Sequence, residues 1–133
     1  MANLVRNLCL AGTLAGLMTA APKLSDSTSV QGVLIDKMCS YKAETRVVPG
    51  PRLEGGIVVA YTHTKDCALK PECQKSGYGV FTYDNKFVAF DEAGNQKALA
   101  FFKEAKQDDD FRVEVTGQVH GDTMSVTSIR LLP

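Results

Sequence analysis

Residues 111–131 read FRVEVTGQVHGDTMSVTSIRL, and this stretch decides the fold. Phe111, Val113, Val115 and Val119 alternate with Arg112, Glu114, Thr116 and Gln118. Strict alternation of apolar and polar residues marks a strand with one buried face. Gly121-Asp122 supplies a tight turn, after which Met124 and Val126 return to the buried face. Ile129 and Leu131 then fall in the opposite phase. A slip of one residue within a strand predicts a β-bulge near Thr127-Ser128. Gly117 occupies an inward position, where a missing side chain permits the sharp bend that a small closed barrel needs.

Upstream of this hairpin, Ala98, Leu99, Phe102 and Ala105 recur at helical spacing. They predict a helix over Gln96–Lys106, with Asn95 as its N-cap. Before it, Val80–Tyr83 and Lys86–Phe90 flank Asp84-Asn85 as a second hairpin with a two-residue turn. A further strand runs from Val30 to Met38, with Val33 and Ile35 on one face, and a short apolar strand is expected at Ile57–Tyr61. Pro49-Gly50-Pro51 and Gly55-Gly56 punctuate residues 40–56 as a long loop. His63–Ser76 reads as one or two helical turns interrupted by Pro71, with Thr64 or Asp66 as N-cap and Gly77 as the stop. A single helix ahead of the C-terminal hairpin is the order of an OB-fold. The expectation is a mainly β, five-stranded OB-fold-like barrel with a short cysteine-bearing helical segment. An α+β sheet with a helix packed on one face is the other arrangement of these elements.

The N-terminus speaks to compartment. Arg6 is the only charge ahead of an uncharged run, Leu8–Ala21, which ends in small residues before Pro22 and Lys23. That is the layout of a secretory signal peptide, too short to span a bilayer as a permanent helix. Residues 1–21 are therefore expected to be a signal peptide, 22–29 a flexible leader, and 30–133 the barrel domain, exported to the periplasm or beyond. Cys9 belongs to the signal, and no stable transmembrane segment is expected after its cleavage. The 133 residues carry 15 basic and 15 acidic side chains, so no basic excess points to nucleic acid. What remains after cleavage suffices for one modest core, which a cross-link or an ion would help to stabilise.

The chemistry-bearing residues are Cys39, His63, Cys67 and Cys73. Three cysteines in an exported domain leave at least one thiol free, intermolecular or metal-bound. His63 and Cys67 are four apart, one face of a helix, and a break at Pro71 returns Cys73 toward Cys67. Cys39 closes the first strand. Three sulfurs and an imidazole suit tetrahedral Zn²⁺, and soft ligands also suit Cu(I). Asp36 is a candidate for a fourth ligand, a carboxylate orienting His63, or a loop cap. The competing reading pairs two of Cys39, Cys67 and Cys73 in a stabilising disulfide. A thiol-redox role is a third, weakened by the lack of a Cys-x-x-Cys motif.

Blander assignments suit the other polar residues. His120 lies on the polar phase of its strand, Tyr78 reads as an aromatic plug, and Asp108-Asp109-Asp110 as a solvated connection. Tyr41, Tyr61 and Tyr83 form no stacking ladder, and Asp91 and Glu92 no acid/base pair. No Gly-x-Ser-x-Gly, phosphate-binding loop or His-Glu-x-x-His is present, so the common hydrolase, nucleotide and zincin signatures are excluded.

Taken together, Gly32-x-x-x-Asp36-x-x-Cys39, His63-x-x-x-Cys67, Cys73-x-x-x-Gly77-Tyr78-Gly79 and the tail from Phe111 resemble a group of uncharacterised exported bacterial OB-fold-like proteins. The resemblance covers about residues 30–132 and implies a secreted OB-like domain without an assigned activity. Two functions stand side by side. One is an exported module holding a soft metal through its Cys/His cluster. The other is a disulfide-stapled interaction domain of the cell envelope, whose barrel face or 40–56 loop meets a partner protein or envelope component. Neither reading makes it an enzyme.

Overall fold

A computed structural model describes residues 26–45 and 56–133. The expected signal peptide, the first half of the leader (22–25) and the Pro49-Gly50-Pro51 segment lie outside the described residues. Five strands close into a ring: β1 (Thr28–Asp36), β2 (Tyr78–Thr82), β3 (Phe87–Phe90), β4 (Arg112–His120) and β5 (Thr123–Leu131), in the spatial order β1-β2-β3-β5-β4. All neighbours are antiparallel except β3 and β5. β1 begins at Thr28, ahead of the expected Val30, because Thr28 and Ser29 pair with Gly117 and Thr116 of β4.

The β4–β5 hairpin follows its sequence pattern. Val113, Val115 and Gly117 alternate inward, and the register passes from Thr116↔Ser128 to Gly117↔Val126. Thr127 is thus the extra residue of a bulge where the phase slip placed it. A Cβ on Gly117 would lie 2.1 Å from the carbonyl oxygen of Ser125, so the closeness of the two backbones at the bend requires glycine.

Helices and strands occupy nearly equal shares of the described residues, so the expectation of a mainly β protein is corrected to a mixed α/β one. The excess lies between β1 and β2. Here α1 (Lys37–Thr45) and α2 (Ile57–Tyr61) replace the expected end of the first strand, part of the loop and the short strand at 57–61, while α3 (Lys65–Ala68) and α4 (Pro71–Ser76) fall where helical turns were expected. The reason is visible in β1 itself. Val33, Leu34 and Ile35 are all fully buried, Leu34 in the ring interior and Val33 and Ile35 on its outer face. A strand buried on both sides needs a cover. Ala43 of α1 and Ala60 of α2, together with Phe81 of β2, form a second core over that face. An unbroken apolar run, as opposed to an alternating one, carries this signal.

The interior of the ring is closed by α5 (Glu92–Glu104). It starts earlier than expected, because Asp91 and not Asn95 caps it, accepting a hydrogen bond from the Gly94 amide at 2.8 Å. Asn95 instead accepts the Tyr78 amide through Oδ1. The helix sends Ala98 and Phe102 inward, and the Phe102 ring meets Tyr78, Phe101 and Phe111 with centroids 4.9–6.3 Å away. Tyr78 is the aromatic plug its sequence context predicted, and its hydroxyl donates to the Ala68 carbonyl at 2.6 Å. The turn between β2 and β3 is longer than the expected two residues, since only Asn85 adopts positive φ and Thr82 pairs with Lys86.

Candidate metal centre

The site sits at one end of β1, where the chain passes straight from strand to helix. Asp36 is the last residue of β1 and is completely buried. Its Oδ1 accepts the Cys39 amide at 2.9 Å, which caps the first turn of α1. Its Oδ2 lies 2.6 Å from His63 Nε2. Asp36 thus both caps a helix and grips His63.

Each cysteine is the third residue of a helix: Cys39 in α1, Cys67 in α3 and Cys73 in α4. The Cα–Cβ bonds of a helix tilt toward its N-terminus, so each sulfur leans back over the start of its own element. The starts are set locally. Thr64 accepts the Cys67 amide and begins α3, and Pro71, which cannot donate, opens α4. Pro71 therefore starts a helix instead of breaking one. Gly77 ends α4 with φ of 85°, and its carbonyl accepts the Lys37 amide, tying the end of α4 to the start of α1.

The outcome is a convergence of donors from four elements. The ligand atoms of Asp36, Cys39, Cys67 and Cys73 all lie within 4.8 Å of one another. The Cys39 and Cys67 sulfurs are 3.5 Å apart, and all three cysteines are free thiols. A disulfide would need about 2.05 Å. No disulfide joins the described cysteines, and the third sulfur is in the same cluster, not elsewhere as a simple staple would have it. His63 stands beside this set of four. It precedes α3, so the expected i, i+4 helix face shared with Cys67 does not form, and it reaches the cluster through Asp36.

The electrostatics follow from crowding. Burial pushes the Cys39 thiol up, and the charge of Asp36 and the Cys67 sulfur add to the effect. Cys73 is pushed up to about 11 by burial, then by Asp36 and Cys67. Tyr78 rises to about 12 through burial, then through Asp36 and Cys73. For Asp36, burial works toward a higher value, but the His63 hydrogen bond, the Cys39 amide and the imidazole's field together outweigh it and hold the carboxyl below the usual carboxylate range. Several acidic groups thus share one small space, the arrangement a cation would relieve. Ion binding there would expel the thiol protons.

Other singled-out residues are placed away from this centre. His120 is exposed at the β4–β5 turn, and Asp110 forms a two-pronged ion pair with Arg112 at 2.9 and 3.0 Å. No helix among the described residues is long and apolar enough to cross a membrane. Comparison with known protein families, curated proteins and solved structures finds no match to this chain.

Proposed function

We propose that the protein is a small exported binding module, OB-like in topology, that holds a zinc ion through Asp36, Cys39, Cys67 and Cys73. The observation that carries the reading is the convergence of four donor atoms within 4.8 Å, one from a strand end and three from helix starts. Thiolates bound at about 2.3 Å to one tetrahedral ion lie about 3.8 Å apart, close to the 3.5 Å between Cys39 and Cys67. The oxygen donor favours Zn²⁺ over Cu(I), which prefers an all-sulfur set. His63 would hold the carboxylate in place, as outer partners of metal ligands commonly do. The strand order β1-β2-β3-β5-β4, with α5 between the third and fourth strands, supports the OB assignment. The charge pattern of Met1–Lys23 supports export.

The short Cys39–Cys67 separation also favours a second reading, in which these two oxidise to a disulfide and the protein acts as an interaction domain. The absence of a Cys-x-x-Cys motif speaks against a redox catalyst. Intact mass with thiol counting and elemental analysis of the chain purified from the exported fraction separates the readings. The zinc reading expects one equivalent of metal and three thiols titratable after its removal. A product lighter by two hydrogens, without metal, supports the disulfide and rejects the zinc site.

A further inference from the structure

The Cys39 and Cys67 sulfurs are 3.5 Å apart, and both residues are half-buried. Both line one cavity of about 250 Å³, whose wall also includes Lys42, Val59, Thr62 and Thr64. The third cysteine is placed otherwise. Cys73 is only 3% exposed and takes no part in that wall, although its sulfur lies within 4.8 Å of the other two. Two thiols of the cluster thus meet a small molecule that enters from outside, and the third stands behind them. Chain connectivity favours the same pair. Cys39 and Cys67 are 28 residues apart, whereas Cys67 and Cys73 are close neighbours in sequence. A disulfide that closes the longer loop takes more entropy from the unfolded chain.

We propose that Cys39 and Cys67 are an oxidation site for hydrogen peroxide, and that their closure as a disulfide shuts the ion site. The inference rests on the zinc reading, in which the reduced chain takes up the ion, and gives that site a regulation. The chemistry balances with the peroxide as oxidant. One sulfur of the pair attacks the peroxide. An S–O bond forms, the O–O bond breaks, and the departing hydroxide leaves as water with the thiol proton. The second sulfur then attacks the sulfenic sulfur. An S–S bond forms, the S–O bond breaks, and a second water carries off the other thiol proton. The two thiols give up two electrons and two protons, and the peroxide takes up both. The sulfurs need only close from 3.5 Å to about 2.05 Å. The disulfide withdraws Cys39 and Cys67 from the donor set and leaves Asp36 and Cys73, too few to fill a tetrahedral shell.

The test uses the full chain, reduced and freed of metal. It is treated with hydrogen peroxide, its remaining thiols are alkylated, and the cross-linked peptides are mapped by mass spectrometry. Zinc uptake is measured before oxidation, after it, and again after reduction with dithiothreitol. A Cys39–Cys67 link with Cys73 alkylated is expected, with uptake falling from one equivalent to none and returning on reduction. In Cys39→Ser the oxidation is expected to stop at a sulfenic acid on Cys67 that dimedone traps. The disulfide map of the unaltered chain decides the matter should that variant fail to fold. A link through Cys73, or thiols that survive peroxide or pass to sulfinic acid without a link, overturns the oxidation site and leaves the zinc reading intact. Uptake that persists across the Cys39–Cys67 link overturns the shutting of the ion site. A reduced chain that takes up no zinc overturns the zinc reading, and the regulation with it.

Discussion

The C-terminal hairpin and the cysteine-bearing helices between β1 and β2 are built on different principles. β4 and β5 pair along eight registered positions and bury Val113, Val115, Met124 and Val126 in the ring interior. Their order comes from a repeated pattern, in which each residue supports its neighbours. Helices α3 and α4 have four and six residues, too short to be stable alone. They are held by a small apolar footing, with Ala68 in the main core and Leu69 packed against it, and by polar ties: the Tyr78 hydroxyl on Ala68, the Lys37 amide on Gly77, the Lys65 amide on Asp108, and the sulfur cluster itself. One region is stabilised by an extended buried face, the other by that narrow footing and a few polar ties gathered around a set of donors. The difference teaches where an ion would matter most, since a ligand bound only by the folded state contributes stability to the elements that hold it.

The two regions share one joint, and breaking it gives the largest effect. Phe102 packs against Tyr78, Phe101 and Phe111 and also touches the His63 ring at 6.1 Å. Phe102→Ala should cost about 3–5 kcal/mol and lower the melting of hairpin and cysteine region together. Separate transitions in hydrogen exchange would show that the regions are independent. Gly117→Ala acts on the hairpin alone. The added methyl meets backbone, so a loss of about 1–3 kcal/mol is expected, with zinc stoichiometry unchanged by elemental analysis. His63→Ala acts on the other side. Removing the group that grips Asp36 should weaken zinc binding by roughly 10–100-fold in a competition titration, and His63→Gln, which restores a donor, should recover part of it. Equal affinities for all three would mean that Asp36 needs no support. The smallest effect belongs to the exposed face of the sheet. Glu114 bonds Arg130 and Gln31 in solvent, and Glu114→Gln should leave the melting temperature within scatter.

The same contrast explains what could be read from the sequence. The hairpin, its bulge at Thr127 and the bend at Gly117 were legible because period-two alternation leaves a direct record in the residues. α5 was legible as a helix, but its start was not. Asp91 and Asn95 are equally good caps by residue type, and only the demand of the Tyr78 amide for Asn95 separates them. Ile57–Tyr61 reads as a strand by β-propensity and is a helix because it must cover Val33, Ile35 and Phe81, a demand set by tertiary packing. In the candidate metal centre the three cysteines could be gathered from their spacing. That Asp36 and not His63 completes the set of four depends on where β1 ends, which no spacing encodes. The position of each cysteine at the third residue of a helix was within reach for Cys67 and Cys73, where Thr64 and Pro71 mark the starts. It was out of reach for Cys39, whose helix begins inside an expected strand.

The most direct measurement is X-ray absorption at the zinc edge of the metal-loaded full chain. Three sulfur neighbours at about 2.3 Å and one oxygen at about 2.0–2.2 Å are expected, with one sulfur lost in each of Cys39→Ser, Cys67→Ser and Cys73→Ser. A shell with fewer than three sulfurs, or one that none of the three substitutions alters, would contradict the account.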